Sequence, residues 1–528
     1  MGVCVVCQAD AESQCSSCYS VTYCNREHQK QDWSSHKKIC KKPYNVQEVP
    51  KMGRCMVAAK DIQMGDILLK EKCIVHGPSL EESTTPLCLG CYRPLSESSF
   101  VTCKLCKAPL CSSKCESSPI HTPECEELRN DSLGYYSFWN KTTLMRSQSP
   151  KLNYINQSIV LVLRAFGFKK RGDIKTWKEI MSLESHEEDR EGSEREAFLD
   201  KNVVKILNQY SNLGSHVTPK NIQMLGGIFD TNMFELNVQG GSVSISGLFP
   251  KAAMMAHSCF KNTKVTFSED HVMTIYARVP ISKGDLIYHS YAKTFHTTTQ
   301  RRIELYYGKY FSCECKRCLD PTEMGSYISA LKCQNCKEGL ILSESPLDLN
   351  SAWSCRHCSF VLNGVPLLER NVRMEMESIP KTDFRGLELF IEKYSDTFGS
   401  SHSFILKAKQ LLSVAYGRYA GFKENNTMDA ETLEKKVEYC RLVLKTERII
   451  ESGISTRIGM ACYELAMALK LLSEVSQKSI PKHEIKNLLE EAVQSLSYEP
   501  LSSHYRKLGI QAEMELIELR SNLLSKTR

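Results

Sequence analysis

The chain has 528 residues, of which 42% are hydrophobic and 24% are charged, and its formal net charge is +7 at pH 7. This composition excludes an intrinsically disordered chain, and the length predicts roughly two to four globular units because a single core does not grow to this size. No run of about 18 apolar residues occurs, which excludes a membrane-spanning helix, and the positive charge is too diffuse to indicate nucleic acid as the main partner.

Cysteine is the most informative residue type, with 25 copies in the chain. The first residues, MGVCVVCQADAESQC, lack the charged and apolar segments of a secretory signal peptide, so we expect reduced thiols. Closely spaced cysteine pairs therefore indicate zinc sites, with disulfide bonds as the alternative.

Eight potential zinc ligands lie within residues 4–40. A segment of about 37 residues buries too little surface to fold around its own core, so bound metal has to supply the folding energy. The ligand spacing, with Tyr23 and Trp33 beside it, resembles a MYND zinc finger. That family interleaves its ligands, which implies one ion on Cys4, Cys7, Cys24 and His28 and a second ion on Cys15, Cys18, His36 and Cys40.

Residues 48–77 alternate apolar and polar side chains around a turn at residues 63–66, which predicts short β-strands. A second set of eight ligands then follows in the order of the first. These ligands are Cys88, Cys91, Cys103, Cys106, Cys111, Cys115, His121 and Cys125. They resemble a second MYND finger, which implies a second pair of zinc ions.

Residues 126–230 show helical periodicity. The clearest pattern, LNYINQSIVLVLRAFGF, predicts a helix that ends at Gly167. Residues 186–196, HEEDREGSERE, form a charge run without apolar anchors, which predicts a solvated loop or helix end.

Three features share the stretch from Gly247 to Cys318: His257-Ser258-Cys259, Tyr291, and a C-x-C-x-x-C cluster made of Cys313, Cys315 and Cys318. The cluster lacks one thiolate for a tetrahedral zinc site, and Cys259 is the obvious distant ligand. The order and spacing of these features resemble the SET domain of protein lysine methyltransferases. A zinc finger inserted after the first strands is the layout of the SET-and-MYND (SMYD) family, and the extra finger at residues 4–40 resembles its arthropod-specific SmydA-like branch.

The resemblance implies S-adenosylmethionine as the cofactor and Tyr291 as the catalytic residue that orients the acceptor amine. The cofactor-binding residues that it implies are Gly53, Arg54, Glu184, Asn232, Ala256, His257, Tyr291 and Phe311. Structural alternatives stay open: a buried tyrosine at position 291, simple packing beside zinc for Phe311, a loop asparagine at position 232, and a helix-capping serine next to Glu184.

Four residues depart from the family pattern. Ala256 stands where the family has Asn, Lys261 where it has Pro, Cys55 where it has Gly, and Lys309 where it often has Tyr. Loss of one hydrogen bond to a charged group costs roughly 1.5 to 3 kcal/mol, so Ala256 predicts about ten- to hundred-fold weaker cofactor binding.

After Cys318 the chain carries a zinc-ribbon spacing made of Cys333, Cys336, Cys355 and Cys358, which brings the expected total to about six structural zinc ions. From about residue 370 the pattern changes to successive amphipathic helices. They resemble a tetratricopeptide (TPR)-like array that closes one side of the substrate cleft, with a purely stabilising helical bundle as the alternative.

The sequence thus predicts an α+β multidomain protein in which a MYND finger interrupts a β-rich SET domain. The predicted parts are a MYND finger (1–43), SET N-terminal strands (44–87), an inserted MYND finger (88–125), a helical SET insert (126–230), the SET core (231–295), a post-SET and zinc-ribbon region (296–365) and a helical TPR-like domain (366–528).

The resemblance implies an S-adenosylmethionine-dependent protein-lysine N-methyltransferase that acts on a histone or non-histone protein in nucleus and cytoplasm, linked to transcription regulation and chromatin. The alternative is a catalytically weak or inactive adaptor. Its MYND fingers would bind proline-rich peptides of transcriptional regulators.

Overall fold

The computed structural model describes the chain except residues 1, 80–86, 97–99, 129–149, 209–214, 216, 239–242, 418–427, 477–479 and 526–528. Two parts of the predicted helical patterns, residues 129–149 and 418–422, therefore lie outside the described residues. Among the residues described, the helices fall short of the length and apolarity that crossing a membrane requires.

Twenty strands are described, most of them short. They are β1 Gly2–Val3, β2 Asp10–Ala11, β3 Ser13–Gln14, β4 Thr22–Tyr23, β5 Tyr44–Val49, β6 Gly53–Ala58, β7 Ile67–Lys72, β8 Val75–Pro78, β9 Val101–Thr102, β10 Pro109–Leu110, β11 Met233–Val238, β12 Val243–Leu248, β13 Ala256–His257, β14 Thr263–Phe267, β15 Val272–Ala277, β16 Tyr288–His289, β17 Leu331–Lys332, β18 Leu340–Ser343, β19 Trp353–Cys355 and β20 Val361–Leu362.

The helices concentrate between the strand-rich segments and in the last third of the chain. They are α1 Arg26–Ile39, α2 Thr122–Leu128, α3 Pro150–Lys170, α4 Ile174–Met181, α5 Glu187–Arg190, α6 Glu194–Leu199, α7 Lys205–Leu207, α8 Pro219–Asn232, α9 Thr298–Lys309, α10 Lys316–Leu319, α11 Val365–Ser378, α12 Phe384–Tyr394, α13 Ser403–Ala415, α14 Ala430–Ile450, α15 Thr456–Ser476, α16 Lys482–Leu496 and α17 His504–Ser525. A π-turn at Asp200–Val204 joins α6 to α7.

Small sheets from distant parts of the sequence form the central β-rich region. Their strand orders are β14-β15-β7, β11-β12-β8 and β5-β6. Along β15 the alternate residues Met273, Ile275 and Ala277 are fully buried, as the period of two requires when one face of a strand covers a core. The strands before and after the inserted finger therefore share one core.

A short parallel pair positions the candidate site. Ala256 of β13 pairs with Tyr288 of β16, and His257 pairs with His289. The next residue continues the contact, because the Ser258 N–H donates to the His289 carbonyl over 3.0 Å. This pairing sets the His257-Ser258-Cys259 turn beside the segment that carries Tyr291.

The first finger covers the free edge of β7, the outer strand of its sheet. The Lys70 N–H donates to the Tyr19 hydroxyl over 3.2 Å, and the Lys70 ammonium donates to Gln14 Oε1 over 2.8 Å. An uncovered strand edge is a template for unwanted pairing, so the finger protects this sheet.

The second finger is attached to α3 by a buried ion pair. Arg164 donates from Nε and Nη2 to both carboxylate oxygens of Glu124, over 2.8 and 2.6 Å. Glu124 in turn lies 3.1 Å from Nδ1 of His121, a predicted zinc ligand. A carboxylate on the second nitrogen of a metal-binding histidine fixes the ring and its tautomer, so α3 helps to hold this zinc site.

One sequence prediction in the helical segment was wrong, and a second was confirmed only in part. α3 continues through Gly167 to Lys170, because an interior glycine costs a helix only about 1 kcal/mol. The glycine with the left-handed conformation is Gly172, with φ of +77°. The charge run at 186–196 is only partly solvated: it forms α5 and α6, and Arg190 is buried while Arg195 donates twice to Asp230, over 2.6 and 2.7 Å.

The C-terminal helices α13 to α17 pack consecutively, each against the next. Alanines and aromatic rings fill the contacts; the rings of Tyr416 and Tyr439, for example, stack 6.3 Å apart. Four of these helices, α13, α14, α15 and α17, also line a cavity of about 660 Å³ whose opposite wall is formed by β11 and β14.

A buried charge cluster joins the C-terminal helices to the strand-rich region. Glu451 lies 3.4 Å from the ammonium of Lys261 and 3.4 Å from the guanidinium of Arg278. It also accepts hydrogen bonds from Thr294 over 2.8 Å and from Ser455 over 2.6 Å. Lys261, which replaces the family proline, thus has an ion-pair partner here. Burial alone raises the pKa of the Glu451 carboxyl, but the cations of Lys261 and Arg278 hold it well below its usual range.

Glu451→Gln should lower the free energy of unfolding by about 3 to 5 kcal/mol, because the buried guanidinium of Arg278 and the partly buried ammonium of Lys261 lose their counter-charge. A carboxyl whose pKa is depressed by folding stabilises the protein above its unfolded pKa of about 4.3, and this contribution disappears as the pH falls through the folded pKa. In urea titrations the difference in free energy of unfolding between wild type and variant should therefore have its full value at pH 7 and decrease below about pH 4.

The matched control is Glu490→Gln, which breaks a pair between Glu490 and Arg520 whose side chains are 41% and 55% exposed. Exposed pairs contribute little, so this variant should lose less than about 1 kcal/mol. Equal losses for the two variants would contradict the role given to Glu451.

Candidate active site

The geometry of the cysteine and histidine clusters fits zinc. Ligand atoms converge to within 4.8 Å in five sets, which are Cys4/Cys7/Cys24/His28, Cys15/Cys18/His36/Cys40, Cys88/Cys91/Cys111/Cys115, Cys103/Cys106/His121/Cys125 and Cys259/Cys313/Cys315/Cys318. Sulfur–sulfur distances of 3.5 to 3.9 Å occur within these sets. A tetrahedral ion with zinc–sulfur bonds near 2.3 Å requires about 3.8 Å. Four ligands complete each set, so these sites are structural.

The ribbon cysteines form a further set. Sγ of Cys333 lies 3.7 Å from Sγ of Cys358, and Sγ of Cys336 lies 3.7 Å from Sγ of Cys355. These residues stand at the ends of the four-stranded sheet β17-β18-β19-β20. With this set the structure has the six four-ligand zinc sites that the sequence predicts.

The set containing Cys259 closes the candidate site. Sγ of Cys259 lies 3.9 Å from Sγ of Cys313 and 3.6 Å from Sγ of Cys318, although Cys259 precedes them by more than fifty residues. The fully buried Arg301 donates from Nη2 to Cys318 Sγ over 3.4 Å. A cation beside four thiolates offsets the net negative charge of a Zn(Cys)4 centre.

His257 connects this zinc site to Tyr291. Its Nδ1 accepts a hydrogen bond from the Tyr291 N–H over 3.0 Å, and its Nε2 lies 3.3 Å from Cys259 Sγ. Because Nδ1 has to accept, the ring proton lies on Nε2 and is donated to sulfur. Burial lowers the pKa of His257 to about 4, so this neutral tautomer persists. His257 is therefore a structural link between the metal and the tyrosine.

Both ends of Tyr291 are fixed. Its N–H is held by His257, and its hydroxyl donates to the Met255 carbonyl. A phenol that donates its only proton in this way keeps its oxygen as an acceptor. Burial raises the pKa of the Tyr291 hydroxyl, so it is neutral over the physiological range. The side chain is nonetheless 39% exposed, because it lines a cavity.

That cavity has a volume of about 910 Å³ and brings together every predicted cofactor-binding residue. Its wall contains Gly53, Arg54, Glu184, Asn232, Ala256, His257, Tyr291 and Phe311. These residues come from six separate stretches of the sequence. Cavities of this size hold small-molecule ligands and cofactors, so the residues are placed to bind one.

Strand β6 forms part of the cavity wall and contains both Gly53 and Cys55, the residue that replaces a family glycine. Gly53 has φ of +69°, a left-handed conformation that favours glycine, and Arg54 donates to the Ser182 carbonyl. Cys55, where the family has a second glycine, has no positive φ and is 1% exposed. A positive φ is therefore not required at position 55.

Glu184 and Asn232 form a second part of the wall and contact each other. Nδ2 of Asn232, the last residue of α8, donates to the Glu184 carbonyl over 2.8 Å. The Glu184 carboxylate accepts from the His186 N–H over 2.8 Å. The capping-serine interpretation is wrong, since α5 begins after His186 without a side-chain cap.

Phe311 packs beside the zinc ligands and also faces the cavity. It packs against the buried cluster around Cys259, Leu305 and Cys313, and its ring centre lies 5.6 Å from that of His257. It also lines the cavity. Packing beside zinc and contact with a ligand are therefore compatible roles for this ring.

Lys309 occupies the cavity wall at the end of α9. Its ammonium donates to the carbonyls of Asp230 and Thr231 over 2.8 and 2.7 Å, and lies 5.9 Å from the ring centre of Tyr291. Burial lowers the pKa of Lys309 to about 8. A lysine thus stands beside the predicted catalytic tyrosine.

Sequence reasoning missed His289 and Thr231. Both line the cavity, and within the described part of the chain His289 Nδ1 and Thr231 Oγ1 are buried without a hydrogen-bond partner. His289 precedes Tyr291 by two residues at the end of a strand, so the period of two could have placed both on one face. Thr231 carries no comparable signal.

Comparisons with known proteins agree with this architecture. A family model described as the SET domain matches residues 53–292, and one described as the MYND finger matches residues 4–40. Isoform B of the SET domain-containing protein SmydA-8 from Drosophila melanogaster is 30% identical over 332 residues, which cover 60% of this chain and 67% of that protein. Isoform A is 27% identical over 315 residues, or 58% of this chain and 63% of that protein, slightly less than two thirds of its length.

A plant protein matches more of the chain. Histone-lysine N-methyltransferase ASHR1 from Arabidopsis thaliana is 22% identical over 456 residues, which cover 82% of this chain and 88% of that protein. The fold and the site define the class: this is a zinc-containing SET-domain protein. More narrowly, the chain belongs to the SET-and-MYND (SMYD) family, in its SmydA-like branch.

Proposed function

We propose that the chain is an S-adenosylmethionine-dependent protein-lysine N-methyltransferase. One observation carries the proposal: a single cavity is lined by all the predicted cofactor residues and by Tyr291, whose hydroxyl oxygen is free to accept. The name of ASHR1 describes that relative as a histone-lysine N-methyltransferase, which supports the same activity here.

The cavity fits such a cofactor. Its unpartnered polar atoms, His289 Nδ1 and Thr231 Oγ1, can bond the polar groups of a nucleoside or amino-acid moiety. The backbone at Gly53 lets a ligand approach closely, and the Phe311 ring offers an apolar face. When bound, S-adenosylmethionine supplies an activated methyl group on a sulfonium.

The side chains of the cavity orient the acceptor amine toward the methyl donor. Direct displacement requires a neutral amine whose lone pair points at the methyl carbon, in line with the breaking bond. The Tyr291 oxygen, fixed by its bond to Met255, accepts an amine N–H and thereby turns the lone pair toward the donor. The zinc sites hold this geometry through His257 and take no part in the reaction.

A second cavity offers an entry for the protein substrate. The 660 Å³ cavity beneath the C-terminal helices and the candidate active site share Val265 and Phe267 of β14, so the two spaces adjoin. Carboxylates of Glu269, Glu464 and Glu499 line the second cavity. Two of these carboxylates have partners, because Glu464 pairs with Lys436 and Glu499 with Lys264. We propose that a lysine-bearing segment of a histone or non-histone protein binds in this cavity, because it adjoins the candidate active site and carboxylates in its wall can bind an ammonium group.

The residues that differ from the family pattern determine how tightly the chain is expected to bind the cofactor. Ala256 carries a methyl group where an asparagine amide would bond the cofactor, which costs about 1.5 to 3 kcal/mol of binding. Gly53, Arg54, Asn232 and Tyr291 remain in the wall. The chain is therefore expected to bind the cofactor more weakly than an enzyme with the full pattern, while keeping its orienting tyrosine.

The direct test is methyl transfer by the purified full chain. Isotope-labelled S-adenosylmethionine is mixed with histone and non-histone lysine peptides, and label on a lysine Nε is measured. Transfer that requires both chain and peptide supports the proposal. Absence of label on every acceptor, the chain included, would contradict it.

Exposed apolar side chains on the first finger favour a second role for the chain, the binding of peptides. Trp33 is 44% exposed, and Val3 and Val5 are 54% and 43% exposed, beside metal ligands that rigidify the surface. Exposed aromatic rings on rigid modules recognise proline-rich segments. We propose that this finger binds proline-rich peptides of transcriptional regulators.

Trp33→Ala should weaken binding of a proline-rich peptide at least about tenfold, because removal of an aromatic anchor typically costs 2 kcal/mol or more. Calorimetry with the full chain measures this, with Val46→Ala, an exposed apolar residue outside the finger, as the control. Equal affinity for wild type and Trp33→Ala would exclude this surface.

A further inference from the structure

Lys309 differs from the other chemistry-bearing residues of the cavity because it is itself a lysine amine. Its side chain enters the space that also contains Tyr291 and Asn232. Nζ is anchored by two main-chain carbonyls, those of Asp230 and Thr231, over 2.8 and 2.7 Å. Anchoring of this kind fixes the nitrogen in position beside the tyrosine ring, 5.9 Å from its centre.

We propose that Lys309 is a methyl acceptor within its own active site, so that the chain methylates itself at this position. The inference rests on the proposed function, because S-adenosylmethionine is the methyl donor. It assigns a modification site to a residue whose place in the family is often taken by a tyrosine.

The step is balanced as a direct displacement. The unprotonated Nζ uses its lone pair to form a bond to the methyl carbon, the carbon–sulfur bond breaks, and its electron pair stays on sulfur as a thioether. The positive charge moves from sulfur to the new methylammonium, and the proton of the original ammonium has already gone to water. Because burial lowers the pKa of Lys309 to about 8, the reactive free amine is populated near neutral pH.

The two carbonyl acceptors predict where the reaction stops. A methylammonium group keeps two N–H donors, which match the carbonyls of Asp230 and Thr231. A second methyl group would leave one of these carbonyls without its partner, and an unmade buried hydrogen bond is unfavourable. Monomethylated Lys309 is therefore the expected product.

The test uses the purified full chain with labelled S-adenosylmethionine and no other protein. Peptide mass spectrometry should find one methyl group on Lys309. The labelled fraction per unit time should not change on dilution, because the reaction is intramolecular. Lys309→Arg should abolish label at this position, whereas Lys251→Arg, which alters an exposed lysine outside the cavity wall, should leave it unchanged.

Other outcomes separate this inference from the proposed function. Label on an added lysine peptide with none on Lys309 overturns self-methylation and leaves the enzyme assignment standing. Label on Lys309 that falls in proportion to dilution overturns the intramolecular step. Label on neither acceptor contradicts both proposals.

Discussion

Tyr291→Phe should reduce methyl transfer by about 10²-fold or more while leaving the fold and the affinity for S-adenosylmethionine nearly unchanged. The substitution removes only the hydroxyl oxygen, which the structure fixes by its bond to the Met255 carbonyl. Without that acceptor the amine is no longer turned toward the donor, and misplaced reacting groups cost about two orders of magnitude in rate. Transfer to a lysine peptide under saturating donor measures the effect.

Tyr288→Phe provides the matched control for this variant. Tyr288 lies in the same short segment, on strand β16, but outside the lining of the candidate active site. Its hydroxyl should therefore be dispensable for transfer. A Tyr291→Phe protein that transfers methyl groups at the wild-type rate would remove Tyr291 from the mechanism.

Cys259→Ser should release one zinc ion per chain and abolish binding of the methyl donor. Four ligands bind structural zinc with a free energy of roughly 10 to 16 kcal/mol, and a serine hydroxyl is a poor substitute for a thiolate. The lost ion is the link between the His257-Ser258-Cys259 turn and the segment after Tyr291. Elemental analysis and donor titration on the same sample measure both effects.

Cys73→Ala is the control for this prediction, because Cys73 is buried in the strand-rich core and belongs to none of the zinc sets described. Its zinc content and donor binding should equal those of the wild type. A Cys259→Ser protein with full zinc content and normal donor binding would contradict the structural role of this site.

The metal sites could be predicted from the sequence because ligand spacing is a local property with few chemical alternatives. The set that contains Cys259 is less local, because one of its ligands is distant in the sequence. Cys313, Cys315 and Cys318 are visible as a motif, but Cys259 lies far away, and it could be proposed only because the motif lacks a fourth ligand. The family resemblance supplied the cofactor residues, and the structure shows that they line one cavity.

The contacts that join separate parts could not be predicted. Lys261 is only a departure from a family pattern until the fold brings Glu451 of the C-terminal region to 3.4 Å from it. Similarly, Arg164 and Glu124 form their buried pair because α3 packs on the second finger. Such pairs have no fixed spacing, so single-sequence patterns carry no trace of them. The predicted helix end at Gly167 was wrong for another reason, because a glycine can stand at the end of a helix but does not force the helix to end.

Calorimetric titration of S-adenosylmethionine into the purified, zinc-replete chain tests the account most directly. One molecule should bind per chain with a dissociation constant below about 1 mM, which corresponds to more than about 4.1 kcal/mol of binding free energy. The demethylated product, S-adenosylhomocysteine, should compete for the same site. Absence of binding at the highest soluble donor concentration, in a sample that holds its zinc and is folded, would contradict the account.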